Sequence, residues 1–208
     1  MAHHGTIVEL RRYALHPGAR DTLIEIFARE FVAGQRALGI EILGWFRDLD
    51  DPDCFFWVRA FAERERRGAA LAAFYGGPVW KAHRDAANAT MIDSSNVLQL
   101  RPVKAGAIDR DGTIVATICY LRAPADDALI ATFERAIVPQ IRAEGGELLA
   151  TFVTDPSENP FPPLPIREGV SAFVWFARHA SPEAARPDLA TFAPAMLGIP
   201  EVHRLARP

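Results

Sequence analysis

The chain has 208 residues, half of them hydrophobic, enough for one sizeable core or two small ones. With a formal net charge of −3 and no Lys/Arg run longer than two, it lacks the basic footprint of a nucleic-acid binder. No apolar run approaches the roughly 18 residues of a membrane span, and Cys54 and Cys119 sit far apart with no metal-type spacing, as expected of reduced thiols in a cytoplasmic protein.

The N-terminus has no apolar signal region, and His3 and His4 read as tail. Ile7 to Leu15 predicts a strand, with Glu9, Arg11 and Tyr13 on one face and Val8, Leu10 and Arg12 on the other. His16-Pro17-Gly18 closes it, and Leu23, Phe27, Phe31 and Leu38 mark a helix over residues 19–38 that ends at Gly39. The aromatics on that helix, and Phe133 later in the chain, are expected to be ordinary helix-to-sheet core. Strands follow at Ile40–Leu49 and Cys54–Phe61, joined by Asp50-Asp51-Pro52-Asp53 as an antiparallel hairpin. A helix over Glu63–Phe74 is broken by Gly76-Gly77, and Pro78 is suited to the first turn of the next, from Pro78 to about Ala89. On that helix Val79, Trp80, Ala82, His83, Ala86 and Ala87 share one arc, with Tyr75 entering the same neighbourhood. Asn96–Arg101 is the fourth strand, and the order β-α-β-β-α-β is the ferredoxin-like unit.

After a linker at 103–112 the pattern repeats. Ile7–Tyr13 (IVELRRY) matches Ile114–Tyr120 (IVATICY), Phe27 matches Phe133, and Gly39–Phe46 (GIEILGWF) matches Gly145–Phe152 (GGELLATF), with an offset near 106 residues. Beyond Phe152 the offset grows to about 118, so that Trp57 answers Trp175, because the second half carries an extra Pro-rich loop at Asp155–Gly169. It returns near 106 at the C-terminus, where Leu100-Arg101-Pro102 answers Ala206-Arg207-Pro208, because the second half lacks the Pro78–Ala89 helix. The division is therefore a first repeat at 1–102, a linker, and a degenerate second repeat at 113–208. A ferredoxin-like sheet has one face its own helices leave bare. The expected fold is α+β, two such repeats packing antiparallel sheets face to face as an α/β barrel.

Three stretches, Val8–Asp21 (VELRRYALHPGARD), Leu43–Phe61 (LGWFRDLDDPDCFFWVRAF) and Phe74–Pro102, resemble the NIPSNAP family of the dimeric α/β-barrel superfamily. The likeness is close over the first half and loose over the second. It implies the barrel, but not a chemistry: the superfamily includes cofactor-independent quinone-forming monooxygenases, haem-degrading enzymes, isomerases and non-catalytic proteins. One-repeat members pair to close the barrel; here the second repeat supplies that partner, so a homodimer would use helices or edge strands.

Two groups of residues are candidates for a site. Glu9, Arg11 and Tyr13, Trp45 and Arg47, and Trp57 and Arg59 share strand faces; turned inward, they would line a barrel pocket for a planar anionic or phenolic small molecule. The alternative is that Glu9 simply neutralises Arg59 or Arg11. The second repeat has Ala116, Ile118 and Ala177 in place of Glu9, Arg11 and Arg59, which puts the site in the first half alone. His83, beside Trp80 and Tyr75, is the candidate general base, or a ligand to a haem iron, set against a plain core-edge histidine. No metal site and no required cofactor are expected. The functional expectation is small-molecule binding, with oxygenase or isomerase activity and a non-catalytic role both open.

Overall fold

The computed structural model describes residues 7–180 and 187–208; His3 and His4 lie outside the described residues. The first half runs β1 (Ile7–Leu15), α1 (Arg20–Ile26), a π-helical turn (Phe27–Phe31), α2 (Val32–Arg36), β2 (Ile40–Asp48), β3 (Cys54–Phe61), α3 (Arg64–Gly76), α4 (Pro78–Asn88) and β4 (Met91–Lys104). The second runs β5 (Thr113–Leu121), α5 (Asp127–Thr132), a π-helical turn (Phe133–Ile137), α6 (Val138–Ala143), β6 (Glu147–Thr154), β7 (Ser171–His179), a 3-10 turn (Ala193–Ala195) and β8 (Glu201–Ala206). Among the described residues between β7 and β8, that 3-10 turn is the one regular element, where the first half has α3 and α4.

The eight strands close an antiparallel barrel in the order β1-β3-β2-β8-β5-β7-β6-β4. Read as β4-β1-β3-β2 and β8-β5-β7-β6, each half has the ferredoxin-like order, and the halves meet at β2–β8 and β4–β6. The two seams are unequal. β4 pairs with β6 from Leu100 to Lys104, whereas β2 meets β8 only at Arg47 and Asp48. No helix among the described residues is long and apolar enough to cross a membrane.

Duplication shows in the backbone as well as in the letters. Both halves interrupt their first helix with a π turn, at Phe27 and at Phe133. Both end it on a left-handed glycine, Gly39 (φ 77°) and Gly145 (φ 72°), a conformation that side-chain-bearing residues rarely adopt. The phenylalanine opening each π turn packs on the matching tryptophan, Phe27 on Trp57 at 4.8 Å and Phe133 on Trp175 at 5.1 Å between ring centroids.

The barrel interior is apolar and filled. Phe56 packs on Phe46 at 6.4 Å and on Phe176 at 6.2 Å, and Phe176 on Phe152 at 6.0 Å, with Val8, Leu10, Val58, Ile114, Ile118 and Val174 around them. Each such side chain contributes about 1.5–3 kcal/mol by leaving water. Ile108, from the segment joining the halves, is buried in the same core. Gly106 lets that segment in: a Cβ there would lie 1.9 Å from the Leu149 carbonyl oxygen.

This packing corrects the expectation that Glu9, Arg11, Tyr13, Trp57 and Arg59 turn inward. They point outward, beneath the helices, while Val8, Leu10, Val58 and Ala60 face the barrel. The alternation itself was read correctly. What it could not say is which face is inside, because β1 and β3 are buried on both, one by the barrel and one by the helices. A second correction follows. Arg11 pairs with Trp57 and Thr117 pairs with Trp175, so Arg11 corresponds to Thr117, not Ile118; Glu9, opposite Arg59, corresponds to Val115, opposite Ala177, and not to Ala116. Matching letters one residue out moved each side chain to the other face of the sheet. At the corrected positions the second half is still without the charged set.

Candidate functional site

A cavity of about 300 Å³ lies outside the barrel wall, between the outer face of β1 and β3 and the helices of the first half. Tyr13, Phe55 and Trp57 form its sheet side; Leu23, Phe27, Phe31 and Gln35 come from α1, the π turn and α2; Phe74, Tyr75 and Trp80 come from α3 and α4. The Pro-rich loop of the second half closes the top with Phe161, Pro163 and Leu164. Phe161 stacks on Tyr75, with ring centroids 6.0 Å apart and planes 20° from parallel.

The loop is held in place by polar contacts. Arg64 grips Asp155 bidentately at 2.8 and 2.7 Å, Arg67 Nη1 donates to Asn159 Oδ1 at 3.0 Å, and Gln99 Nε2 donates to the Ser157 carbonyl at 2.7 Å. Hydrogen bonding and charge from Arg64 hold the Asp155 carboxyl below its usual range even though burial works the other way.

Behind the aromatic wall sits a fully buried charge cluster. Glu9 receives Arg11 Nη1 at 2.6 Å, Arg59 Nε at 2.8 Å and Arg67 Nε at 2.8 Å. Burial pushes the Glu9 carboxyl up, but Arg59, Arg11 and Arg67 together hold it well below the usual carboxylate range. Three guanidiniums against one carboxylate leave a formal excess of two positive charges in a dry setting, where an uncompensated ion costs several kcal/mol. Arg11 Nη2 and Trp57 Nε1 are buried donors with no partner.

The excess reaches the cavity through its lining. Arg11 Nε donates to Tyr13 Oη at 2.9 Å, and Arg59 Nη1 lies 3.5 Å from Tyr75 Oη. Arg59 Nη1 also donates to Gln35 Oε1 at 2.9 Å, which fixes the amide and leaves its NH2 as the free end. The Arg59 guanidinium stacks 5.1 Å from the Trp57 ring, and that of Arg11 5.5 Å from it. Burial raises the Tyr13 phenol against the pull of Arg11, so it keeps its proton at neutral pH.

The candidates read from the sequence divide three ways. Tyr13, Trp57, Tyr75 and Trp80 line the cavity, and Glu9, Arg11 and Arg59 stand directly behind it. Trp45 packs on Phe27 at 5.9 Å outside the lining, and Arg47 pairs with Asp21 at the surface. His83 is also outside: its side chain is 36% exposed, with Nε2 3.4 Å from Glu30. Neither a histidine nor a cysteine is among the residues lining the cavity, so the donor set does not fit a haem ligated by His83.

Sequence reasoning missed Gln35, Arg67 and Phe161, and took Phe27 and Phe31 for plain core. A signal was there for two of them. Gln35 continues the Phe27–Phe31 spacing, and Arg67 continues that of Leu71 and Phe74, each a polar residue on an apolar helical stripe.

A second polar group, drawn from both halves, fills the end of the barrel. Arg12 bonds to Glu201, to His203 Nε2 at 2.9 Å, to Asn96 at 3.2 Å and to Tyr120 at 3.0 Å, and His203 Nδ1 meets Asp48 at 2.6 Å. The Asp48–His203 contact spans the short β2–β8 seam and reinforces it.

The architecture is thus a closed eight-stranded α/β barrel formed by two ferredoxin-like halves of one chain. No family model and no curated protein matches the sequence. Among solved structures, a proposed monooxygenase from Lactobacillus acidophilus aligns over 96% of this chain and 92% of its own, with 15% identity and a TM-score of 0.57. One from Fusobacterium nucleatum aligns over 96% and 91%, with 11% identity and a TM-score of 0.59. These likenesses are of fold. NIPSNAP family structures are also among the matches; one from Agrobacterium tumefaciens covers 50% of this chain and 90% of its own, with 22% identity and a TM-score of 0.44.

Proposed function

We propose that this protein binds a small aromatic anion in the cavity beneath the helices of its first half. The observation that carries the reading is the buried excess of two positive charges, set behind an aromatic-lined void and aimed into it through Tyr13 and Tyr75. An anion seated there supplies the missing counter-charge, and the aromatic walls supply most of the contact area.

Binding is the primary reading because none of the lining residues is a His, Cys, Asp, Glu or Lys. Glu9 is no base either: three guanidiniums keep it ionised and occupied. Turnover would therefore be confined to substrates that ionise unaided near neutrality. For an oxygenase this means an acidic CH2 flanked by aromatic rings, converted by O2 to a ketone with release of water.

The test is a thermal-shift and calorimetric screen of aromatic carboxylates and phenols, with oxygen uptake followed in parallel. A ligand at 100 times its Kd stabilises by about 2.7 kcal/mol, which is several degrees in melting temperature. If no aromatic anion shifts the transition, the reading fails. Binding without oxygen uptake places the protein among binders, and uptake with product formation makes it an enzyme.

A further inference from the structure

The floor of the cavity, where it backs onto the arginines, presents hydrogen-bond donors, while Asn88 and Ser94 also line the cavity. The Tyr13 oxygen already accepts from Arg11 Nε, so its proton is left for a ligand. Tyr75 is in the same position, facing Arg59 Nη1 at 3.5 Å. Gln35 spends its carbonyl on Arg59, so its NH2 remains. Behind them, Trp57 Nε1 and Arg11 Nη2 are buried donors without a partner and without a surface on the cavity. The three lining donors come from β1, α2 and α3 and are backed by the excess positive charge.

Resting on the cavity reading above, we infer that the ligand is a flat arenecarboxylate, its carboxylate on this floor and its ring among Phe31, Trp80 and Phe161. A carboxylate offers two oxygens and about four lone-pair sites, enough for donors spread over three elements. A phenolate offers a single oxygen to the same set. A primary amide would turn its own NH2 group onto donors, and an alcohol carries no charge. Sites built to satisfy buried polar groups reject isosteres that leave them unpaired. A hydrogen bond to a charged group contributes enough that losing one weakens binding by about tenfold or more.

The experiment is calorimetry at neutral pH with matched series on benzene, naphthalene and indole: carboxylate, primary amide, hydroxymethyl and phenol. The expected result is at least one carboxylate binding tenfold or more tighter than its amide and phenol. Tyr75→Phe should then weaken it about tenfold. Gln35→Glu, which keeps the acceptor for Arg59 while setting a negative charge against the ligand, should abolish it, with a melting temperature confirming the fold. Equal affinity for acid and amide, a preference for the phenol, or carboxylate binding unchanged in both variants would overturn the carboxylate inference while leaving the cavity as a binding site. No binding by any member of any series would take the cavity reading down with it.

Discussion

Arg11 Nε and Tyr13 Oη are joined by a 2.9 Å hydrogen bond between side chains two residues apart on one strand face, both buried outside the barrel wall. Its effect is to move a charge without moving an ion. The guanidinium stays in the dry layer beside Glu9, while the phenol it polarises is what the cavity meets; a hydroxyl that already accepts a hydrogen bond is the stronger donor.

Glu9 is the keystone of that layer, so Glu9→Gln should be among the most damaging single substitutions. It removes the one carboxylate facing three buried guanidiniums, and stripping a partner from a buried ion pair typically costs about 3–5 kcal/mol. Urea denaturation should show this loss in full. Adding Arg67→Met to the same chain should restore part of it, since the double variant buries one cation fewer.

Acid should unfold the protein through the same group. Glu9 has a folded pKa far below its ordinary 4.5, and Asp155 is held below 3.8. A depressed carboxylate stabilises the fold at pH values above its unfolded pKa, and that contribution fades as the pH falls through the interval down to the folded value. Stability followed by circular dichroism should hold from neutrality to about pH 5 and then decline steadily. A flat profile down to pH 3 would contradict the ionised state assigned to Glu9.

Cys54 and Cys119 should behave as inert thiols. Burial pushes both to about 12 from 9, helped at Cys54 by Asp48 and Asp51. Iodoacetamide at pH 8 should leave both unmodified in the native protein and label both in denaturant, as read by intact mass. The sign is opposite at the alkaline end: each raised thiol contributes stability that begins to be lost above pH 9.

The Pro-rich loop should act on ligand retention more than on folding. Phe161→Ala removes the ring stacked on Tyr75 and opens the top of the cavity without touching the barrel interior. We expect dissociation several-fold faster, measured by competition with a bound arenecarboxylate, and a melting temperature within a few degrees of the wild type.

Since the barrel closes within one chain, folding is expected to need no second copy. The urea midpoint should be independent of protein concentration, unlike that of an obligate dimer. A midpoint that rises with concentration would show a required partner.

How much of this the sequence disclosed depended on which periodicity carried it. Ile7–Leu15 and Cys54–Phe61 were legible to the residue, because alternation and turn chemistry agree there. The beginning of β4 was not: Met91–Ser95 is polar enough to pass for a loop, and it becomes strand only because Ala14 and Leu15 offer it a partner. The charged residues behind the cavity were legible as a polar set, since charges on a face otherwise suited to burial are conspicuous. Its location was not, because a strand buried on both sides carries no mark of which side is the barrel. Phe161 reaches the cavity by tertiary packing of a segment far from β1, which neither spacing nor composition encodes.

The loop from 155 to 170 grows out of one half and finishes the cavity of the other. In a barrel made of two identical chains any insertion is installed twice, and must be tolerated on both sides by whatever each side does. Fusion lifts that constraint: the second half can lose its charged set and its α4 counterpart, and can lengthen a single hairpin, with nothing mirrored onto the first. The chain thereby divides labour between its copies, one free to specialise because the other is tethered beside it and bears the structural duty.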